Sequence, residues 1–249
     1  MKRRRWFFTI FIFGFIAILF GILICFGIIP WNTPSTEQYP VRGVDLSHYQ
    51  GDVDWQVLSQ EGIQFAFIKA TEGSSSIDPN FHQNFQRATK TSLRIGAYHF
   101  FSFESGGITQ AEHFIQQVPK FAKMLPSVID LEFYGEFQSN PPSKEVVQRE
   151  LSSCSNRLEE YYGIKPIIYT TYSCYKQYIS DSFLQHDIWI RDIMTRPHLN
   201  DERQWTFWQY TSRARLSGYQ GDTPYIDCNV FYGTQKQFDQ YPYIKQDTA

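Results

Sequence analysis

Within "PSVIDLEFYG", Pro126 to Gly135, an otherwise apolar run is interrupted by Asp130 and Glu132. Val128, Ile129 and Leu131 mark the run as a buried strand, and alternate residues of a strand project from the same face. The two carboxyls therefore share a face, with Cα atoms about 6–7 Å apart. In a partly dry site two acids that close do not both ionise: one is pushed to a raised pKa and keeps its proton, while the other stays charged. A proton donor beside an anion is the equipment for cleaving a glycosidic bond. The acid protonates the leaving oxygen and the anion stabilises positive charge at the anomeric carbon. Acid pairs on strands also occur in metal sites and ion-paired cores, so the spacing alone suggests this chemistry without deciding it.

The elements that must position this pair are legible from Val41 onward, where apolar runs alternate with helical patterns. Eight strands are expected, at residues 41–47, 65–70, 94–100, 126–132, 166–171, 187–192, 205–211 and 225–231. Helical patterns separate the first six. "DWQVLSQEG" opens with Asp54 as N-cap, and "DPNFHQNFQRATK" has Asp78 as cap and Pro79 at the first helical position. "GGITQAEHFIQQVPK" and "SKEVVQRELSSCSNRLEEYYG" follow, the second ending at Gly163, and "SCYKQYISDSFL" is shorter. After residue 187 no amphipathic helix separates the strands. The alternation predicts a parallel sheet with covered faces, and eight strands predict a barrel lacking its last helices; an open doubly wound sheet is the competing arrangement.

In an α/β barrel the chemistry sits at the C-terminal ends of the strands. Strand by strand, the polar residues near those ends are Asp45, Lys69 with Glu72, Tyr98 with His99, Asp130 with Glu132, Tyr169, Arg191 with Asp192, Gln209, and Asp227. Each has an ordinary structural explanation. Asp45 can cap a turn, Asp227 can pair with Arg191 or Arg42, Lys69 can neutralise Glu72, and Tyr98, Tyr169 and Gln209 can be core polar groups. Their convergence on one rim favours a site. A hard-metal site competes for the acids, but no histidine falls at an obvious ligand spacing, and His99, the one histidine on an expected strand, is expected to pack. Neither metal nor cofactor is expected.

Without the N-terminus the chain leaves about 210 residues, which suits one large domain. Hydrophobic residues make up 42% and aromatic residues 18%, enough for a sizeable core and for rings that could face sugars. After the first five residues 19 basic side chains stand against 25 acidic ones, a net of −6 with no basic stripe, which argues against nucleic-acid binding. Residues 1–5 are a basic cytoplasmic segment, and residues 6–29 contain no charge. As a helix those residues span roughly 36 Å, enough to cross a bilayer core. The "KRRR" before them predicts a cytoplasmic N-terminus and an exported domain, periplasmic or extracellular. A cleaved signal peptide competes, but the apolar run is long and "CFGIIPWNTP" offers no small-residue cleavage pattern. Residues 30–40 read as a Pro-rich linker with little that could pack, 41–236 as the barrel and 237–249 as a tail. Cys154, Cys174 and Cys228 cannot all pair with one another; a Cys154–Cys174 disulfide and three buried thiols are both open. A monomer is expected.

Together the motifs "GVDLSHYQGDVDW", "FAFIKATEG", "DPNFHQNFQRA", "RIGAYHFF", "LPSVIDLE", "KPIIYTTYSCY", "WTFWQYT" and "YIDCNVFYG", in this order from about Arg42 to Gly233, carry a resemblance. The domain resembles the family 25 glycoside hydrolases, the Chalaropsis-type lysozymes or N-acetylmuramidases. The resemblance implies an α/β, modified TIM-like (β/α)5(β)3 barrel and hydrolysis of the β-1,4 bond between N-acetylmuramic acid and N-acetylglucosamine in peptidoglycan. It implies that Glu132 is the general acid/base and that Asp130 orients the substrate's 2-acetamido group as that group attacks the anomeric carbon; direct water attack with inversion is the alternative. It further implies that Asp45 and Asp227 are the other acidic site positions, that Tyr98, Tyr169 and Gln209 line sugar subsites, and that Lys69 and Glu72 support them. Arg191 and Asp192 in "IWIRDI" depart from the family's usual small residue followed by an aromatic, which leaves the sugar contacts at that strand end open to change. A catalytically idle glycan-binding module on the same barrel is the alternative function, and one that would be expected to lose Asp130 or Glu132.

Overall fold

The structure, a computed structural model, describes residues 2–25, 29 and 32–244. It divides into two units, Met1–Thr33 and Pro34–Ala249. The first is helix α1, Lys2–Cys25, whose segment Trp6–Ile24 has a mean hydropathy of 2.9 and is long and apolar enough to cross a membrane. Residues 26–28, in the expected anchor, and 30–31, in the expected linker, lie outside the described residues.

All eight expected strands form in the second unit: β1 Arg42–Leu46, β2 Phe65–Glu72, β3 Arg94–Phe100, β4 Val128–Leu131, β5 Ile167–Thr170, β6 Ile188–Arg191, β7 Phe207–Ala214 and β8 Ile226–Phe231. They pair in chain order, and β8 closes the ring against β1. The expected parallel sheet is corrected at this last strand. β1 to β7 are parallel, but β8 is antiparallel to both β7 and β1. A parallel return needs a crossover of a dozen or more residues, and the connection from β7 to β8 is a short turn-rich loop. Reversal changes which end of β8 meets the active rim: Asp227, near the strand's N-terminal end, lies in register with Asp45.

Period-two alternation sorts the side chains. Val44 and Leu46, Ala66 and Ile68, Ile129 and Leu131, and Ile168 join the layer between barrel and helices. Phe65, Phe67, Val128, Ile167, Tyr169, Trp189, Phe207 and Phe231 fill the barrel interior. Gly43 and Gly96 make room for the rings of Phe65 and Phe67: a Cβ at either would lie within 2.6 Å of a ring carbon. Five helical segments cover the first six strands: α2 Trp55–Leu58, α3 Phe81–Ala88, α4 Gly107–Gln117, α5 Lys144–Tyr162, and α6 Tyr172–Cys174, which continues as a π-turn to Ile179. Asp54 caps α2 through the amides of Gln56 and Val57, and Gly163 ends α5 with φ 76°. The expected cap of α3 is displaced. That helix begins at Phe81 after Asn80, and Asp78 instead accepts from the amides of Asn80 and His48 and contacts His48 Nδ1 at 3.0 Å.

Where later helices are missing, aromatic side chains cover the wall. Tyr39 is buried with its ring centroid 5.7 Å from Trp205 and 5.9 Å from Trp208, and the Pro34 carbonyl accepts from Arg42. Residues 34–40 therefore pack as part of the domain, against the linker expectation. The tail expectation is corrected likewise for residues 237–244. Helix α7, Gln235–Asp239, and its extension bury Phe238, Tyr241 and Ile244, with Phe238 and Tyr241 sealing the barrel floor. Arg94 donates to the carbonyls of Phe238, Tyr241 and Pro242, and its guanidinium lies 4.9 Å from the Phe238 ring centroid. Cys154, Cys174 and Cys228 are buried free thiols. Phe238→Ala should empty the floor and lower the unfolding free energy by about 3–5 kcal/mol; guanidinium denaturation followed by tryptophan fluorescence checks it, an unchanged midpoint contradicting the sealing role.

Candidate active site

At the open end of the barrel each strand contributes a polar residue from its inward face. The C-terminal end of β1 supplies Asp45, β7 supplies Gln209, and β8 supplies Asp227 and Asn229. Gln209 Nε2 lies 3.1 and 3.0 Å from the two oxygens of Asp45 and 3.1 Å from Asp227 Oδ2. Asn229 Nδ2 donates to Asp45 Oδ2 at 2.7 Å. Both amides are themselves oriented: Tyr169 O–H donates to Gln209 Oε1 at 3.0 Å, and Trp189 Nε1–H to Asn229 Oδ1 at 2.8 Å. Four side chains of four strands (Tyr169 of β5, Trp189 of β6, Gln209 of β7 and Asn229 of β8) thus hold the single carboxyl of Asp45, which is 7% exposed. Burial raises its pKa to about 6, against the opposing donors Asn229, Gln209 and Asp227. Asp227 is driven well above the usual range by burial and then by the charge of Asp45.

Asp130 and Glu132 occupy the same parity of β4 and its continuation, as the spacing predicts. Asp130 is buried, and its Oδ1 has no hydrogen-bond partner among the described residues. Burial pushes its pKa well up, and the neighbouring charge of Glu132 adds to the shift. Glu132 is partly buried, and burial raises its pKa too, with Arg191 and Lys69 opposing. Tyr98 and Tyr169 lie in the fields of these acids: Asp45, Asp130 and Asp227 act on Tyr98, and Glu132, Asp130 and Asp45 on Tyr169. Burial is the larger cause of the raised pKa of each phenol, so both are neutral hydrogen-bonding walls.

Lys69 and Glu72 sit further out. A register shift in β2 between Lys69 and Thr71 brings these residues, three apart, to one side, where Lys69 Nζ meets Glu72 Oε2 at 2.6 Å and lies 5.0 Å from the Phe100 ring centroid. His99 packs outward as expected, fully buried between Thr71 at 2.8 Å and Gln110 at 3.0 Å, and burial depresses its pKa to about 4.

The family model of glycosyl hydrolases family 25 matches residues 44–219. The chain belongs to this family. It is a glycoside hydrolase, and its family 25 domain has close company. A family 25 glycosyl hydrolase from Bacillus anthracis superposes with a TM-score of 0.80 at 51% identity, covering 84% of this chain and 97% of that one. The uncharacterized protein YegX of Escherichia coli K12 is 34% identical over 208 residues, 82% of this chain and 74% of YegX. Lysozyme M1 of Streptomyces globisporus is 30% identical over 211 residues, 78% of this chain and 68% of M1.

The structure brings all nine singled-out residues to one end of the family 25 domain, with Glu72 at the exposed edge. Asn229 was missed. It stands two residues beyond Asp227, hence on the same face, and that period was the available signal. Arg191, expected at the rim but given no role there, has its charge felt by Glu132, Asp227, Asp45 and Tyr169. Asp192 faces away and folds the next loop, accepting from the amides of Met194 and Thr195 and from Tyr172 O–H.

Because Asp45 titrates at about 6 when folded and at about 3.9 as an ordinary aspartate, the folded chain binds its proton more tightly. Its contribution is nil below pH ~4, falls as pH rises from ~4 to ~6, and remains as a fixed penalty above that. Carboxyl 13C NMR should find an aspartate titrating near 6 that Asp45→Asn removes, and the variant's stability should fall less over the same interval. A titration near 4 would contradict the cage.

Proposed function

We propose that the chain is a peptidoglycan muramidase that hydrolyses the β-1,4 bond between N-acetylmuramic acid and N-acetylglucosamine, held at the outer surface of a membrane by α1. The observation that carries the catalytic reading is the pairing of Glu132, whose pKa burial raises, with an Asp130 whose buried Oδ1 lacks a partner among the described residues.

Glu132 gives its proton to the leaving glycosidic oxygen. Asp130 offers Oδ1 to the N–H of the 2-acetamido group, turning that group's carbonyl oxygen toward the anomeric carbon. In the free enzyme burial, and then the charge of Glu132, raises the pKa of Asp130. A donated N–H and the positive charge that builds on the acetamido group both favour its anion. Attack by the acetamido oxygen would form a cyclic intermediate, which water opens with Glu132 now acting as base. Asp45, Asp227 and Gln209 line the sugar on the other side, Tyr98 and Tyr169 wall it, and the Lys69–Glu72 pair buttresses the edge of β2. The relatives' names, lysozyme among them, support the muramidic substrate.

An apolar span at Trp6–Ile24, preceded by Lys2 to Arg5, supports a cytoplasmic N-terminus with the barrel outside. The anchor would confine the hydrolase beside the wall.

Glu132→Gln should lower turnover by about 10²–10⁴-fold with the fold intact. Release of reducing ends from purified peptidoglycan measures it, mass spectrometry of the products should find muramic acid at the new reducing end, and undiminished release would refute the role. Protease added to spheroplasts should remove the barrel and spare α1; full protection would reverse the orientation.

A further inference from the structure

The mouth is rich in acids, and its two cations are used differently. Lys69 is committed to Glu72 at 2.6 Å. The Arg191 side chain makes no hydrogen bond with a described residue, and no described carboxylate lies within 4.0 Å of its guanidinium nitrogens. Yet it is not a surface bystander. Along β6 Trp189 fills the barrel interior and Ile190 faces the helices, so Arg191 projects inward again, above Trp189 and in register with Gln209. Its backbone is pinned by the next residue. Trp208 Nε1 donates to the Asp192 carbonyl at 2.7 Å, and the Asp192 carboxylate organises the loop that follows. The backbone is thus fixed, the residue is half-buried in the mouth, and its five side-chain N–H groups remain unclaimed by described residues.

A guanidinium surrounded by acids would ordinarily collapse onto one of them. Here Asp45 and Asp227 are bound to amides instead, and burial raises the pKa of Asp130. A neutral sugar chain needs no such cation. An anionic one does, because any of Asp45, Asp130, Glu132 and Asp227 that ionises would otherwise repel it, and a guanidinium fork matches a carboxylate bidentately. We propose that Arg191 is a specificity residue that binds a carboxylate carried by the muramyl side of the substrate, on the lactyl group or on the peptide attached to it. This inference rests on the muramidase reading. The other task open to Arg191, keeping Glu132 acidic by its charge alone, would act on every substrate alike.

The test is steady-state kinetics of wild type, Arg191→Gln and Arg191→Lys on two soluble substrates. One is peptide-bearing glycan and the other is glycan stripped of peptide, so that its lactyl carboxylates are free. Each is also used after carbodiimide amidation of its carboxyls. Arg191→Gln should raise KM about 10-fold or more on the substrate bearing the recognised carboxylate, with a smaller change in kcat. Arg191→Lys should recover part of the loss. Amidation should raise the wild-type KM to the same level and cause no further loss in Arg191→Gln. An effect on the stripped strands assigns the lactyl carboxylate, and one confined to peptide-bearing glycan assigns the peptide. The proposal is overturned if wild type ignores amidation, or if Arg191→Gln lowers kcat equally on charged and amidated substrates with a shifted pH profile. Circular dichroism of each variant reports folding. Glu132→Gln, run alongside, separates the two readings: if it retains turnover the muramidase mechanism fails, and if it is inactive while wild type ignores amidation only the role of Arg191 fails.

Discussion

The side-chain amide of Gln209 faces three carboxylate oxygens, two on Asp45 and one on Asp227, at 3.0–3.1 Å with only two hydrogens to give. A charged donor at that position would neutralise the acids and pull their pKa values down. An amide supplies hydrogen bonds and no charge, so the carboxyls can be buried while their proton affinity stays high. Its orientation is set by the Tyr169 hydroxyl on the other oxygen, and Asn229 repeats the device one strand over with Trp189 behind it. The mouth is thereby a place where acids are satisfied but not discharged, which is the condition a proton-donating site needs.

This arrangement requires a rigid and complete ring. Asp45 takes its partners from β7 and β8, the strands that follow the last covering helix, so the part of the barrel with least helical support carries the densest hydrogen bonding. Aromatic packing stands in for the helices. Tyr39, Trp205, Trp208 and Tyr232 form a continuous cluster on the outside, and Phe231, Phe238 and Tyr241 close the base. Planar rings of this size bury large areas with few degrees of freedom, which suits a wall that has no regular element behind it.

Much of this was legible in the residues. Strands declare themselves by alternation, and a polar residue at the end of an apolar alternation declares the mouth, which is why Asp45, Asp130, Tyr169 and Gln209 could be chosen together. Strand direction is not encoded in alternation. Only the short, turn-rich link between Gln220 and Tyr225 hinted that β8 reverses, and the reversal is what carries Asp227 to the acids. Residues 34–40 and 237–244 were misread for one reason: each is held by one to three isolated aromatic or aliphatic side chains, which leave no periodic trace. Arg191 and Asp192 looked like a paired oddity, but adjacent strand residues face opposite ways, and the two have unrelated duties.

The bond from Asn229 to Asp45 spans 184 residues of sequence. Contacts this distant in the chain are expensive in loop entropy and form late. The first strand must wait for the eighth, so the cage around Asp45 cannot close until β8 has been made. A nascent barrel that stops short of β8 therefore leaves Asp45 without the Asn229 amide.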